Sequence, residues 1–207
     1  MIRRSATIAM LLALAVAPTC MAGPYWAGDD GAVLRFGWYE LHVSAWADWV
    51  SHTWPMMPGF GSSDSYRLGA DGDVIHVGGS YLANGFAEGF EFVPPVLLLD
   101  LPLDPGKTWS TESIWYDPNF GAARTVVSGQ VLGPTTTAVP GFADQVPVIV
   151  VRMLFTYPEA DESVYLEDRE EIWLLHERLG LVNGLTAWEG IVPTVPRGWS
   201  GLKALFR

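Results

Sequence analysis

The densest group of potentially reactive side chains in this sequence is a run of acids near the carboxyl end. Seven carboxylates fall between residues 159 and 171: Glu159, Asp161, Glu162, Glu167, Asp168, Glu170 and Glu171. Glycoside hydrolysis requires two carboxylates that face each other across a sugar, one of them with a raised pKa. On an extended strand Glu167 and Glu171 share a face with Trp173, whose ring could stack on a sugar. Because such a run is also typical of a solvated face, a carbohydrate-active hydrolase remains an alternative.

Other catalytic chemistries lack their characteristic spacing. The four histidines are scattered, at positions 42, 52, 76 and 176, and no two have the spacing of zinc ligands. Asp71-Gly72-Asp73 lacks the oxygen ladder of a calcium loop and is typical of a turn. No serine lies in a G-x-S-x-G motif, and no glycine-rich loop has phosphate-binding spacing. We therefore predict no catalytic residue, no metal site and no cofactor.

Aromatic side chains are the remaining candidates for a functional surface. The chain has 10 tryptophans and 7 tyrosines, and tryptophan is seldom fully buried because its ring N–H requires a partner. Some of these rings are therefore expected to line a concave face. The predicted ligand-binding residues are Trp109, Trp115, Tyr116, Tyr165 and Trp173. Core filling is the alternative, since aromatic residues also cover the faces of twisted sheets.

The elements that must position these rings are predicted to be short strands. Residues 93–109 (VPPVLLLDLPLDPGKTW) have the apolar density of a buried strand with proline turns at either end. Residues 65–68 and 74–77 predict a hairpin around an Asp-Gly turn. Residues 110–116 and 124–132 predict a second pair of strands, and residues 146–157 a further one.

Four segments are harder to assign. Proline and glycine in residues 55–64, and glycine in residues 78–89, predict loops. Residues 40–54 and 159–178 fit both helical and strand spacing, and the sequence leaves helix or strand open for both.

The amino end has the layout of a secretory signal. Residues 1–22 combine Arg3 and Arg4, an apolar block and small residues suited to cleavage after Ala22. The block is about ten residues long, too short to span a bilayer, which needs roughly twenty. Removing these 22 of 207 residues leaves 185, enough for one domain (23–207). Cys20, the only cysteine, would be removed too; its lipidation is the weaker alternative.

The charge balance excludes one class of partner. The chain has 12 basic and 23 acidic residues, a net charge of −11 that becomes −13 without Arg3 and Arg4. Such a surface repels nucleic acid and anionic headgroups. We predict no nucleic-acid partner and no transmembrane segment after signal cleavage, and the sequence predicts no oligomeric state.

Three turn-rich pieces occur in a characteristic order. They are LPLDPGKTW at residues 101–109, VPGF at 139–142, and WLL at 173–175 followed by LGLV at 179–182. In this order they resemble uncharacterised exported bacterial β-rich proteins with a PLxxGxTW…PxGxF…GLV pattern. The resemblance spans residues 101–182 and implies a curved antiparallel sheet in which residues 159–178 are largely strand. The second piece, VPGF, departs from the pattern. The resemblance implies no activity.

Together these features predict an exported, all-β protein, periplasmic or extracellular, folded as a single antiparallel β-sandwich or open, curved half-barrel. The predicted function is a non-enzymatic binding or envelope-associated module with an aromatic-lined concave face for an apolar or sugar-like ligand. The alternatives are the hydrolase that uses residues 159–171 and a structural domain that binds a partner through a sheet edge.

Overall fold

A computed structural model describes residues 25–27, 29–37, 39–57, 60–83, 86–158 and 166–189. The predicted signal, residues 1–22, and Tyr165 lie outside these residues. Within them there is no helix, and thus no helix that could cross a lipid bilayer.

The described residues form twelve β-strands in one antiparallel sheet. The strands are β1 (Val33–Phe36), β2 (Tyr39–Trp46), β3 (Trp49–Met57), β4 (Phe60–Leu68), β5 (Val74–Ala83), β6 (Phe86–Leu99), β7 (Thr108–Asp117), β8 (Gly121–Thr137), β9 (Val146–Thr156), β10 (Arg169–His176), β11 (Gly180–Leu181) and β12 (Ala187–Glu189). The predicted all-β, antiparallel fold is confirmed.

The order of the strands forces the sheet to curve. From β1 to β10 each strand pairs with the next one along the chain, β11 adds to β10, and β12 pairs with β1 at the opposite edge. Only residues 182–186 separate β11 from β12, and so few residues span at most about 20 Å. The two edges must therefore lie near each other, which makes the sheet a strongly curved surface that is open between its edge strands.

Alternation along the strands places the core on the inner face of this curve. In β8, Ala123, Thr125, Val127, Gly129 and Val131 are buried, and the residues between them are not. This period of two is expected of a strand with one solvated face. The inner side chains form one hydrophobic cluster that extends from β1 to β10.

The structure confirms the predicted hairpins and resolves most of the ambiguous segments. Strands β4 and β5 flank the turn at 69–73, and β7 and β8 flank that at 118–120. Residues 40–54 form parts of β2 and β3 and the two-residue turn at 47–48 that joins them. In the segment 159–178, the part from Arg169 to His176 is strand, and residues 159–165 lie outside the described part of the chain.

Two loop predictions are wrong. Within residues 55–64, β3 continues to Met57 and β4 begins at Phe60; within 78–89, β5 continues to Ala83 and β6 begins at Phe86. Glycine does not break β5 because its backbone is closely packed there: a Cβ on Gly79 would come within 2.3 Å of the Ser63 carbonyl oxygen. Gly79 is thus a site of close strand approach, as glycine within a strand often is.

Candidate ligand-binding cavity

The inner face of the sheet lines a partly open cavity of about 230 Å³. Its walls come from both sides of the curve, from β1 to β6 and from β9 to β11, and from the amino-terminal residues Trp26 and Ala27. Rings dominate these walls, notably those of Trp26, His52, Trp54, Tyr66, Phe155 and Trp173. The cavity is therefore an aromatic chamber rather than an aliphatic one.

Trp26 connects the two sides of the chamber. Its ring stacks on His52 of β3 (5.2 Å between centroids, 10° between planes), meets Tyr66 of β4 edge-on at 4.8 Å, and lies 6.3 Å from Trp173 of β10. Its indole Nε1 is buried without a hydrogen-bond partner among the described residues. A ring in this position closes the chamber and presents an unsatisfied donor.

The backbone around residue 180 positions this ring. The Tyr25 amide donates to the Glu177 carbonyl oxygen at 2.9 Å, which holds the amino-terminal segment against the turn that follows β10. Gly180 has a positive φ of 71°, and a Cβ there would lie 2.7 Å from the Ala27 nitrogen. Only glycine meets both demands without strain.

Three adjacent strands contribute polar side chains to the chamber wall. His52 of β3 pairs in register with Asp64 of β4, and Tyr66 of β4 pairs with His76 of β5. The Asp64 and His76 side chains are 25% and 16% exposed. An apolar cavity thus contains one carboxylate and two imidazoles, the pattern of a ligand site with a few placed polar groups.

His52 is uncharged at neutral pH. Its Nε2 donates to the Ala27 carbonyl oxygen at 2.7 Å, and because a carbonyl can only accept, the proton of the neutral ring lies on Nε2. Burial lowers the pKa of His52 to about 4, since desolvation disfavours the charged imidazole.

Tyr66 and His76 flank the carboxylate of Asp64. Burial, followed by the charge of Asp64 and a hydrogen bond to it, raises the pKa of Tyr66 well above its usual value. The His76 Nε2 lies 3.3 Å from Asp64 Oδ1, but the pair lacks hydrogen-bond alignment, and this nitrogen is buried without a hydrogen-bond partner in the described part of the chain.

Arg169 marks where the chamber reaches solvent. Its side chain is 57% exposed, lies 3.1 Å from Glu171 and places its guanidinium 4.5 Å from the centre of the Phe155 ring. Glu171 also accepts a hydrogen bond of 2.6 Å from the indole N–H of Trp173. The acid therefore orients one wall ring and neutralises the arginine beside it.

The predicted ligand-binding residues are spread over the molecule. Trp109 is 7% exposed and packs on Gly129. Trp115 lies 6.3 Å from Phe90, and Tyr116 is 44% exposed. Of the four that fall within the described residues, only Trp173 lines the chamber, so a role for the others in this cavity has no support from their position.

The structure describes four of the acids that suggested hydrolysis. Glu170 and Glu171 form ion pairs, Asp168 accepts a hydrogen bond from the Tyr157 amide, and Glu167 is exposed. Glu170 is exposed and binds Arg152 through two hydrogen bonds of 2.9 and 2.7 Å, and Arg152 lowers the pKa of Glu170. Glu171 pairs with Arg169 and Trp173, as above. Glu159, Asp161 and Glu162 lie outside the described residues, in which no group of three or more His, Cys, Asp or Glu side chains could hold a metal.

Sequence reasoning missed Trp26, His52, Asp64, Tyr66 and His76. The residues around Asp64 predict a loop and no predicted strand includes Trp26, so neither segment was expected to form a wall of a cavity. One signal was available: His52 and Trp54, like Asp64 and Tyr66, are two positions apart, the spacing that puts both members of a pair on one strand face.

Comparison of the chain with family models, with curated proteins and with solved structures gives no match. Function must therefore be inferred from the chamber itself.

Proposed function

We propose that this chain is an exported, non-enzymatic binding module whose aromatic chamber holds a small apolar or sugar-like ligand. The observation that carries the proposal is the cavity of about 230 Å³ between the two sides of the curved sheet. A concave, mostly apolar space with a few placed polar groups is the usual form of a small-molecule site, and the chamber has this form.

The size of the chamber limits that occupant. An engineered apolar cavity of about 150 Å³ holds benzene, so 230 Å³ suits one substituted six-membered ring or a small fused pair. Most pockets for drug-sized ligands are larger, about 300–1,000 Å³. The walls favour a flat ring, because the faces of Trp26, Tyr66 and Trp173 offer stacking and edge-on contacts.

The polar groups of the chamber support binding rather than catalysis. Neutral His52 uses its N–H on the Ala27 carbonyl. Among the described residues that line the chamber, Asp64 is the only carboxylate, whereas sugar hydrolysis needs two that face each other. Export is part of the proposal and follows from the leader-like residues 1–22.

Thermal unfolding with a panel of ring compounds tests the binding function. A ligand that binds only the native state at a hundredfold excess over Kd adds about 2.7 kcal/mol of stability, which raises the Tm of a chain this size by roughly 5–10 °C. We expect one or more neutral single-ring compounds, such as ethylbenzene or a methyl glycoside, to produce such a shift.

Two variants locate the binding. Leu98→Phe adds ring volume to a residue that lines the chamber, and we expect it to fold and to lose the ligand-induced Tm shift. Leu132→Phe makes the same change on a side chain that is 51% exposed and should keep the shift. Equal shifts in both variants would place binding elsewhere, and no shift with any compound would contradict the proposed function.

A further inference from the structure

We propose that the chamber selects a ring compound that carries a protonated amine, with the ammonium group on Asp64 and the ring among the aromatic walls. This inference rests on the proposed binding function and adds to it the charge of the ligand. It is carried by the placement of one carboxylate inside an aromatic cavity.

The structure seats the Asp64 carboxylate against the backbone of β5. Asp64 pairs in register with Gly79, and a Cβ on Gly79 would lie 2.8 Å from Asp64 Oδ1. Tyr66 lies close enough that, besides burial, the charge of Asp64 helps to raise its pKa, whereas His76, although 3.3 Å away, is not aligned to donate a hydrogen bond. Since a carboxylate accepts about four hydrogen bonds, Asp64 retains capacity for a ligand donor.

The permanent cation of the chamber wall is already paired. Arg169 lies 3.1 Å from Glu171 and covers the Phe155 ring. His52, the register partner of Asp64, is neutral because its N–H is used on the Ala27 carbonyl and its ring is buried. A partly buried carboxylate without a permanent counter-charge favours a cation.

Aromatic faces surround the position that the cation would occupy. The ring of Tyr66, two positions along β4 from Asp64, lies 4.8 Å from both the Trp26 and the His76 rings. A cation is attracted to Trp or Tyr faces within about 6 Å of the ring centre, most strongly when it is desolvated. The net charge of −11 adds a long-range preference for cations over anions.

A matched set of three compounds tests the charge preference. Calorimetric titration at about pH 8, where imidazole is neutral, would compare 2-phenylethylamine, ethylbenzene and 3-phenylpropionate, which share a ring and differ in charge. We expect the amine to bind the wild-type chain at least about tenfold more tightly than ethylbenzene, and the anion to bind most weakly.

Two variants with the same change of net charge complete the test. Asp64→Asn should weaken binding of the amine about tenfold and leave ethylbenzene unchanged. Asp71→Asn removes a carboxylate from the exposed β4–β5 turn and should keep the amine preference, which separates local contact from overall charge.

The outcomes distinguish this inference from the proposed function. If ethylbenzene binds wild type as tightly as the amine does, or if folded Asp64→Asn retains the preference, the inference is overturned while the binding function stands. If none of the three compounds binds and the neutral panel gives no Tm shift, both fail. Should Asp64→Asn not fold, the wild-type comparison alone decides the charge preference.

Discussion

The two halves of the curved sheet differ in how the side chains of their inner faces are packed. In β7, β8 and the part of β9 up to Met153, the inner face is filled: Val127, Val131, Val148, Val151 and Met153 are at most 2% exposed, and Trp109 packs directly on the strand at Gly129. From β1 to β5 the inner face carries rings and polar groups around a space of about 230 Å³. The filled half stabilises the fold through close packing, and the other half contains the chamber.

The comparison shows that most inward-facing polar side chains lie at the cavity. His52, Asp64, Tyr66 and His76 all lie on β3, β4 and β5 and line the chamber. On the filled side Ser113 donates to the Pro94 carbonyl oxygen and Thr125 to the Ala123 carbonyl oxygen, and the indole N–H of Trp109 is the one buried side-chain group there without a partner among the described residues. Buried polar groups without a full set of partners are costly, which is why we assign those of the chamber a ligand.

The largest expected effect comes from creating a cavity at a closely packed leucine outside the chamber. Leu175 is fully buried outside the chamber wall, and Leu98 lines the chamber. Replacement of a buried leucine by alanine costs about 2–5 kcal/mol, depending on how closely its surroundings pack against it. Urea denaturation should place Leu175→Ala near the upper end of this range and Leu98→Ala near the lower end. Equal losses of stability would mean that Leu98 has no open side.

Acid should destabilise the chamber through His52. Its pKa is 6.5 in the unfolded chain and about 4 in the folded one, so between these values the unfolded state binds more protons and stability falls as the pH falls. The contribution of neutral, buried His52 to the free energy of unfolding is fully present above pH 6.5, and about 3 kcal/mol of it is lost by pH 4.

Comparing the pH dependence of stability in wild type and in a His52 variant isolates this effect. His52→Gln retains a donor for the Ala27 carbonyl but does not titrate. Unfolding free energies measured at pH 7 and pH 4 should fall by about 3 kcal/mol more in wild type than in the variant. Parallel pH profiles would show that His52 does not titrate as a buried imidazole.

A smaller effect is expected from adding one methyl group to the filled side. A Cβ on Gly129 would lie 2.1 Å from Trp109 Cζ2, so Gly129→Ala must displace the ring and should cost about 1–3 kcal/mol. Gly89→Ala is the control, because its closest contact would be 3.3 Å. Similar stabilities for the two variants in denaturant would show that the packing at Trp109 is loose.

The smallest effect should come from the outer face. Arg152 and Glu170 are both about half exposed and form a surface ion pair, a class that contributes little to stability. Glu170→Gln should shift the urea midpoint less than any variant above. A shift as large as that of Gly129→Ala would assign this pair a structural role.

Much of the fold was predictable because strand periodicity and turn chemistry are local. The hairpins at 69–73 and 118–120 followed from Asp, Gly and Pro at turn positions. The continuation of β5 through Gly78 and Gly79 could not be predicted. Glycine in a sequence usually indicates the end of a strand, and the close approach of the neighbouring strand is visible only in the structure.

The site was less predictable because it depends on the curve of the sheet. Trp173 and Trp26 are 147 positions apart in sequence yet 6.3 Å apart between ring centres, a contact set by how the two edges meet. Counting tryptophans indicated that some rings would line a concave face, but period-two spacing alone could not say which strands faced each other.

The central claim is that a ring compound enters the aromatic chamber, and ¹⁹F NMR of the chain labelled with 5-fluorotryptophan tests it most directly. Resonances of the 10 tryptophans can be assigned by single Trp→Phe substitutions and followed during titration with 2-phenylethylamine or ethylbenzene. We predict that the Trp26 and Trp173 signals shift while that of Trp109 does not. Unchanged Trp26 and Trp173 signals at saturating ligand would contradict the claim.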